Sequence, residues 1–354
     1  MLPDSVLFSL GVEAFQHTAR YDGIISSFLG KRREAEDIVG MPKNLSFKFN
    51  KVQDLRYGEN PHQEAAFYKD DEGSYGLPNL KQRHGKELSF NNILDLNAAV
   101  EFVKDFKKPA AVVIKHNNPT GVAEDKSLAK AFKDAWSCDK LSAFGGIIGL
   151  NAKVDLATAK LINKAGFMEC VIAPGFEPKA FALLSKKKNL RLIEINFKKL
   201  KTNDYDVKKD LGGLLVQDKD TRELSKNEMR CVTNKKPTKA QLESLAFGWK
   251  VIKNVKSNAI ILVKGNKTIG LGCGQTSRVD SVAIAIKKAG KSAKGALLIS
   301  DAFFPKTDNI EIAAKAGIKA IIQTGGSIAD EEIIKSANKF NIPMIMTGVR
   351  HFKH

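Results

Sequence analysis

Short apolar runs bounded by turn residues recur along the chain and alternate with longer stretches whose apolar positions repeat at helical spacing. The runs predict strands at 65–68, 110–115, 145–150, 169–174, 191–195 and 212–217, then at 258–264, 267–272, 296–300, 319–323 and 343–347. The periodic stretches predict helices at 92–106, 126–136, 155–165 and 178–185, then at 238–254, 279–289, 309–315 and 329–338. In the helix at 238–254, Thr238 supplies the start and Leu242, Leu245, Ala246 and Trp249 share one face. Gly265-Asn266 between two apolar runs is a hairpin signal, weaker than Asn-Gly. Ahead of this body, residues 8–30 place Val12, Phe15, Ala19, Ile24 and Phe28 at helical spacing, one amphipathic helix or two, closed by Gly30. The charged stretch 31–45, with Pro42, reads as a linker. Alternating strands and helices imply the α/β class.

The pattern also repeats. AAVVIKHNNP at 110–119 and ALLISDAFFP at 296–305 are both apolar strands running into a Pro-containing turn, and VIAPG at 171–175 is echoed by AIIQTGG at 320–326. This suggests an internal duplication of one α/β unit. The expected organisation is a helical, linker-like segment over 1–45 and two α/β subdomains over 46–235 and 236–354.

Composition narrows the classes. The 354 residues are 43% hydrophobic and 27% charged, as in a globular protein of about two domains. A net charge of +18 favours anionic partners, but the lysines are dispersed, with short clusters only at 186–188 and 235–236. That argues for local anion sites on a positive surface and against dedicated nucleic-acid binding. Cys138, Cys170, Cys231 and Cys273 form no metal-ligand spacing, and scattered cysteines suit reduced thiols in a cytoplasm. No signal peptide and no membrane span is expected.

The richest segment is Ala111–Gly121. Its apolar strand stops at Lys115-His116, and Asn117-Asn118-Pro119-Thr120-Gly121 reads as a turn that no central strand can continue. A parallel strand ending so would aim a cation and an imidazole into the crevice at its carboxyl end. His moves protons near neutral pH and Lys stabilises developing negative charge; the alternative is a solvated surface turn. Arg56 and Tyr57, in LRYGENPHQ, could grip a phosphate, or Arg56 could simply pair with Glu59. Asn91 or Asn92 looks like a helix cap. The glycines of DKLSAFGG at 139–146 let backbone approach a ligand or mark a bulge. GLGCGQTSR at 270–278 is Gly-rich but lacks the ending of a nucleotide-phosphate loop. Phe303 and Phe304 beside Asp301 and Pro305 could form a flat ring pocket or belong to the core.

LRYGENPHQ, KELSFNN, IKHNNPTG, DKLSAFGG, VIAPGF, KSNAI, GCGQTSR, SDAFFP, TGGS and a terminal VRHF occur here in order. Together they resemble the transformylase part of the bifunctional AICAR formyltransferase/IMP cyclohydrolase family, from about residue 10 to the C-terminus. AFQHTARYD is similar to the helix that links the two activities, and the cyclohydrolase domain is missing, so a stand-alone formyltransferase is expected. The resemblance implies formyl transfer from 10-formyltetrahydrofolate to the 5-amino group of AICAR, giving FAICAR, with no metal in the chemistry. It implies His116 as general base, Lys115 at the oxyanion, and Asn258 on the carboxamide or formyl oxygen, helping to orient His116. It places Arg56, Tyr57, Gly145, Glu169, Arg278 and Arg350 around AICAR. Val279, Phe303, Asp308, Ser327 and Ile328 fall on the folate side. It further implies two zinc-free cytidine-deaminase-like units and a homodimer with shared active sites.

Two positions depart from the family pattern: Thr120, where relatives often have Cys or Ala, and Glu169, where some have Asp. A modified pterin or formyl phosphate stays open as the donor. A zinc deaminase would need HxE and PCxxC motifs, which do not occur. An RNA-binding module would need clustered basic and aromatic residues. An inactive homologue or AICAR sensor is disfavoured by the intact Lys115-His116 pair.

Overall fold

The computed structural model describes residues 2–34, 40–70, 75–200 and 205–354. In chain order the elements are α1 (Asp4–Glu34), β1 (Phe49–Leu55), β2 (Ala65–Asp70), β3 (Lys81–His84), α2 (Phe90–Val103), β4 (Ala110–Lys115), β5 (Asn118–Glu124), α3 (Leu128–Trp136), α4 (Lys140–Ala143), β6 (Ile147–Leu150), α5 (Leu156–Lys164), β7 (Cys170–Ala173), α6 (Pro178–Leu184) and β8 (Arg191–Glu194). There follow β9 (Tyr205–Asp210), β10 (Gly213–Asp218), β11 (Arg230–Cys231), α7 (Lys239–Ile252), β12 (Ile260–Lys264), β13 (Lys267–Gly272), α8 (Arg278–Ala289), β14 (Leu297–Ser300), α9 (Asp308–Lys315), β15 (Ala320–Gln323), α10 (Asp330–Lys339) and β16 (Met344–Met346).

The chain forms two compact units. The smaller contains α1, a single helix that runs past Gly30 to Glu34, with Phe8, Phe15 and Phe28 exposed. Gly30 therefore does not close the helix, and part of the predicted linker, 35–39, lies outside the described residues.

The larger unit is built on a 12-stranded mixed sheet of order β11-β16-β15-β14-β12-β13-β5-β4-β6-β7-β8-β3. Outward from the central β13–β5 contact, both halves repeat one plan. A hairpin comes first (β4–β5, β12–β13), then a strand antiparallel to it (β6, β14), then two further strands parallel to that one (β7, β8 and β15, β16). A last antiparallel strand closes each edge, β3 against β8 and β11 against β16. β9 and β10 pair in a separate hairpin, so the run at 212–217 is a strand outside the main sheet.

Alternation along the strands divides the core. Val112, Ile114, Ile172, Ile261, Val263 and Ile299 pack with α2 and α7 in one cluster that crosses both halves. Their neighbours point the other way into two separate clusters. Ala111, Val113, Ile148 and Val171 meet α3, α5 and α6, while Ile260, Leu262, Leu298 and Ile321 meet α8, α9 and α10. Strands buried on both faces read as continuous apolar runs, which is why the sequence marks them so clearly.

A further expectation fails at the centre of the sheet. β4 is antiparallel to both neighbours, not parallel, and the segment after it continues as strand β5, beginning at Asn118. Pro119 sits opposite Ile114, where the register shifts between Val113 and Ile114; a bulge tolerates a residue with no N–H to give. At the midline β13 pairs with β5 at Lys267 and Ala123. The buried Thr268 hydroxyl accepts from Val122 N at 2.9 Å and lies 3.2 Å from Val122 O.

Candidate active site

The β4–β5 connection is a two-residue turn. Lys115 pairs with Asn118, leaving His116 and Asn117 at the tip with φ of +50° and +60°. Two left-handed residues match the type I′ turn that suits the twist of a hairpin, and His and Asn are among the few non-glycine residues that enter this region. The turn exposes His116 and leaves Lys115 half-buried, with its Nζ donating to Phe144 O at 2.9 Å. Gly145 lies alongside with φ +68°; a Cβ there would stand 3.0 Å from Lys115 Nζ.

Strand register places the N-termini of β6, β7 and β8 beside the end of β4. Glu169, just ahead of β7, pairs with Arg191 Nη1 at 2.5 Å. Arg191 Nε donates to the carbonyls of Lys86 and Glu87 at 3.1 and 3.0 Å, drawing KELSFNN to this corner. Within that segment Ser89 is the cap of α2: its Oγ accepts from Asn92 N, and its own N–H donates to Asn92 Oδ1; the cap is thus neither Asn91 nor Asn92. Asn91 Nδ2 instead reaches Glu59 O at 3.3 Å, in the loop of Arg56 and Tyr57. Arg56 is exposed and leans on Tyr57, 4.8 Å from its ring centroid, rather than on Glu59.

The second group lies at the same end of the sheet. β5 starts there, β13 ends there and β12 starts there, because each pair is antiparallel. Asn258 precedes β12. Its Nδ2 donates to Gln275 O at 3.0 Å and Thr276 O at 3.1 Å, and its Oδ1 accepts from Arg278 Nη2 at 2.7 Å. Arg278, the first residue of α8, is only 7% exposed and also binds Ser300 Oγ and the Asp301 carboxylate. Asp301 is fully buried, and Ser257 Oγ donates to its other oxygen at 2.5 Å. The guanidinium thus backs Asn258 and is itself held by a buried carboxylate.

The remaining candidates ring this group. Val279 is in the first turn of α8, and Phe303 is half-buried after β14. Asp308 opens α9 and accepts from Asn309 N at 2.7 Å. Ser327 Oγ accepts from Ala329 N at 3.1 Å, while Ile328 stands fully in solvent. Arg350 is exposed, its guanidinium carbon 4.4 Å from the Phe352 ring centroid.

The candidates at the strand termini therefore lie at one end of the sheet, in two groups. Lys115 and Asn258 flank β5 and β13, so three strand steps, about 14 Å at the usual spacing, separate their strands. No hydrogen bond joins His116 to Asn258 among the described residues. Burial pushes the thiol of Cys170, beside the first group, well above its ordinary range. Among the described residues no group of three His, Cys, Asp or Glu side chains could hold a metal ion.

Sequence reasoning missed four supporting residues, Asp95, Arg191, Ser257 and Asp301. Their partners lie 22 to 105 positions away, beyond any local spacing. Two signals were present: Ser257 and Asp301 lie in KSNAI and SDAFFP, and Asp95 is a carboxylate in the otherwise apolar and amide-rich FNNILDLNAAV.

Comparison with known proteins fits this arrangement. A family model described as the AICARFT/IMPCHase bienzyme matches residues 4–288. The bifunctional purine biosynthesis protein PurH of Thermoanaerobacter sp. (strain X514) is 50% identical over 347 residues, covering 98% of this chain and 67% of the relative. PurH of Acetivibrio thermocellus is 49% identical over 350 residues, and that of Bacillus subtilis (strain 168) 47% over 348, each with 98% and 67% covered. The chain belongs to the AICARFT/IMPCHase bienzyme family.

Proposed function

We propose that this chain is an AICAR formyltransferase of purine biosynthesis, taking its formyl group from 10-formyltetrahydrofolate. The observation that carries the reading is the hairpin tip presenting Lys115 and His116 at the end of the sheet where Asn258 also lies.

The acceptor amine of AICAR is conjugated with its ring carboxamide and is a poor nucleophile. It must lose a proton as its nitrogen attacks the formyl carbon. His116 takes that proton as general base. The carbonyl oxygen becomes a tetrahedral oxyanion, which the Lys115 ammonium stabilises. Collapse breaks the bond to N10 of the folate, and the proton on His116 passes to the departing nitrogen. Both Nδ2 hydrogens of Asn258 are already donated, and its Oδ1 keeps one lone pair. Asn258 therefore suits acceptance of an N–H from the AICAR carboxamide better than donation to the formyl oxygen. Arg56, Tyr57 and Arg350 meet the phosphate side, and Gly145 and Glu169 line the nucleotide. Arg278 acts there through Asn258. Val279, Phe303, Asp308, Ser327 and Ile328 take the folate, with the Phe303 ring against its flat system.

The repeated strand order supports reading the body as two zinc-free cytidine-deaminase-like units over 46–235 and 236–354, after a helical segment at 1–45. The separation of the two residue groups supports a homodimer in which Asn258 of one chain can serve His116 of the other. No metal is assigned to the chemistry, and the cytoplasm is the assigned compartment.

The test follows tetrahydrofolate release from purified protein, AICAR and 10-formyltetrahydrofolate. His116→Ala is expected to lower kcat about 10²–10⁴-fold. Release that persists in the variant would remove His116 from its role. Binding of AICAR without release in either protein would overturn the reading in favour of a sensor or another formyl donor.

A further inference from the structure

We propose that Asp95 is a positioning residue for the general base, its carboxylate holding the left-handed His116–Asn117 turn from behind. The proposal rests on the formyl-transfer reading of the same site.

The Asn117 N–H donates to Asp95 Oδ1 at 2.6 Å, and the His116 amide pulls on the same carboxylate. These two amides belong to the residues with positive φ. In a two-residue hairpin turn their N–H groups project away from the ladder and need a partner outside it. Asp95 supplies that partner from a fixed support. Its helix, α2, is pinned at the N-terminus by the Ser89–Asn92 capping box and is buried along its length by Leu96, Ala99 and Val103. The carboxylate itself is half-buried. Burial pushes it above the ordinary carboxylate range, against the pull of the two N–H groups, His116 and Lys115. A carboxylate in such a place is useful for the hydrogen bonds it accepts. Among the described residues it makes no hydrogen bond to the imidazole ring; it acts on the base through the backbone of the turn and, more weakly, through its charge. A rotation of the 116–117 peptide would swing the imidazole, and displacements of about 1 Å cost about 10²-fold in rate.

The experiment compares wild type with Asp95→Ala, Asp95→Asn and Asp95→Gln. It reads kcat, KM for AICAR, and hydrogen exchange of the Asn117 amide in the intact protein. Asn keeps an acceptor oxygen at the same reach; Gln keeps the amide but misplaces it. Asp95→Ala and Asp95→Gln are expected to lower kcat about 10–100-fold with KM for AICAR changed less than about twofold, and to speed Asn117 exchange. Asp95→Asn is expected to restore kcat and slow exchange to near the wild-type values. A purely structural role would cost folded protein and leave kcat per folded molecule unchanged, which would overturn the proposal. So would equal losses in the Asn and Gln variants. If Asp95→Ala does not fold, the Asn–Gln pair decides. If wild type itself releases no tetrahydrofolate, the formyl-transfer reading fails, and unchanged Asn117 exchange in Asp95→Gln would sink the hold on the turn separately.

Discussion

Arg278 and Asp301 form a buried ion pair whose members are 7% and 0% exposed. Such a pair is costly to break on one side, because the survivor keeps its charge in a place where water cannot reach it. Arg278→Ala is expected to destabilise the fold by about 3–5 kcal/mol in urea unfolding. The double variant Arg278→Ala/Asp301→Ala is expected to recover part of that loss, since neither charge is then stranded. A double variant no more stable than Arg278→Ala would mean that the pair is not coupled. The ten ordered motifs already pointed to the residues at the front of the site, which sit in turns and strand ends with characteristic local sequence. The residues behind them were illegible for a physical reason. Asp301 finds Arg278 and Ser257 only after three strands have come side by side. Nothing in the spacing of a carboxylate says which distant cation it will meet.

At the level of elements, most helix and strand positions were visible as apolar runs, and the structure moves their ends by a few residues. The short or exposed β1, β3, β9, β11 and α4 were not predicted, and neither was the buried β5. Pro119 and Gly121 look like breakers, yet the bulge tolerates the first and the packing requires the second. A Cβ on Gly121 would stand 2.0 Å from Ala135 O and 2.7 Å from Cys138 Cβ, so glycine is what lets α3 lie directly on the strand. The other half uses the same device, with Gly270 facing Ala285 O at 2.2 Å and Gly272 facing Ser281 O at 2.1 Å under α8. Gly121→Ala must push a helix backbone off the sheet and is expected to destabilise by about 1–3 kcal/mol, read as a lower urea midpoint. Gly213→Ala, with nothing within 4 Å of the added carbon, is the control and is expected to change the midpoint little. Local propensity lost to tertiary packing here, which a reading of turn residues alone cannot foresee.

Across the whole molecule, charged pairs hold the two halves of the sheet together. Lys267 of β13 reaches Asp134 of α3 at 2.9 Å, and Lys288 of α8 reaches Asp139 at 3.0 Å. Burial pushes both carboxyls up, but hydrogen bonds more than offset it and leave both below the ordinary range: Lys267 and Lys130 on Asp134, Ser142 and Lys288 on Asp139. A carboxyl depressed in the folded state adds stability above its unfolded pKa of about 4, and that stability is lost as pH falls through the folded value. The thermal midpoint is therefore expected to fall on acidification below about pH 4, and Asp134→Asn/Asp139→Asn is expected to lower the midpoint at pH 7 and flatten its acid limb. An acid limb as steep in the variant as in wild type would locate the acid sensitivity elsewhere. At the midline, beside the Glu124–Asn266 hydrogen bonds, sits one small buried group. The Thr268 hydroxyl both receives from and returns to the Val122 peptide across it. It works as a ratchet pawl, since a strand can slip only in whole residues of about 3.3 Å, each turning its side chains to the opposite face. The offset between Lys115 on one half and Asn258 on the other is thus set digitally, in whole-residue notches.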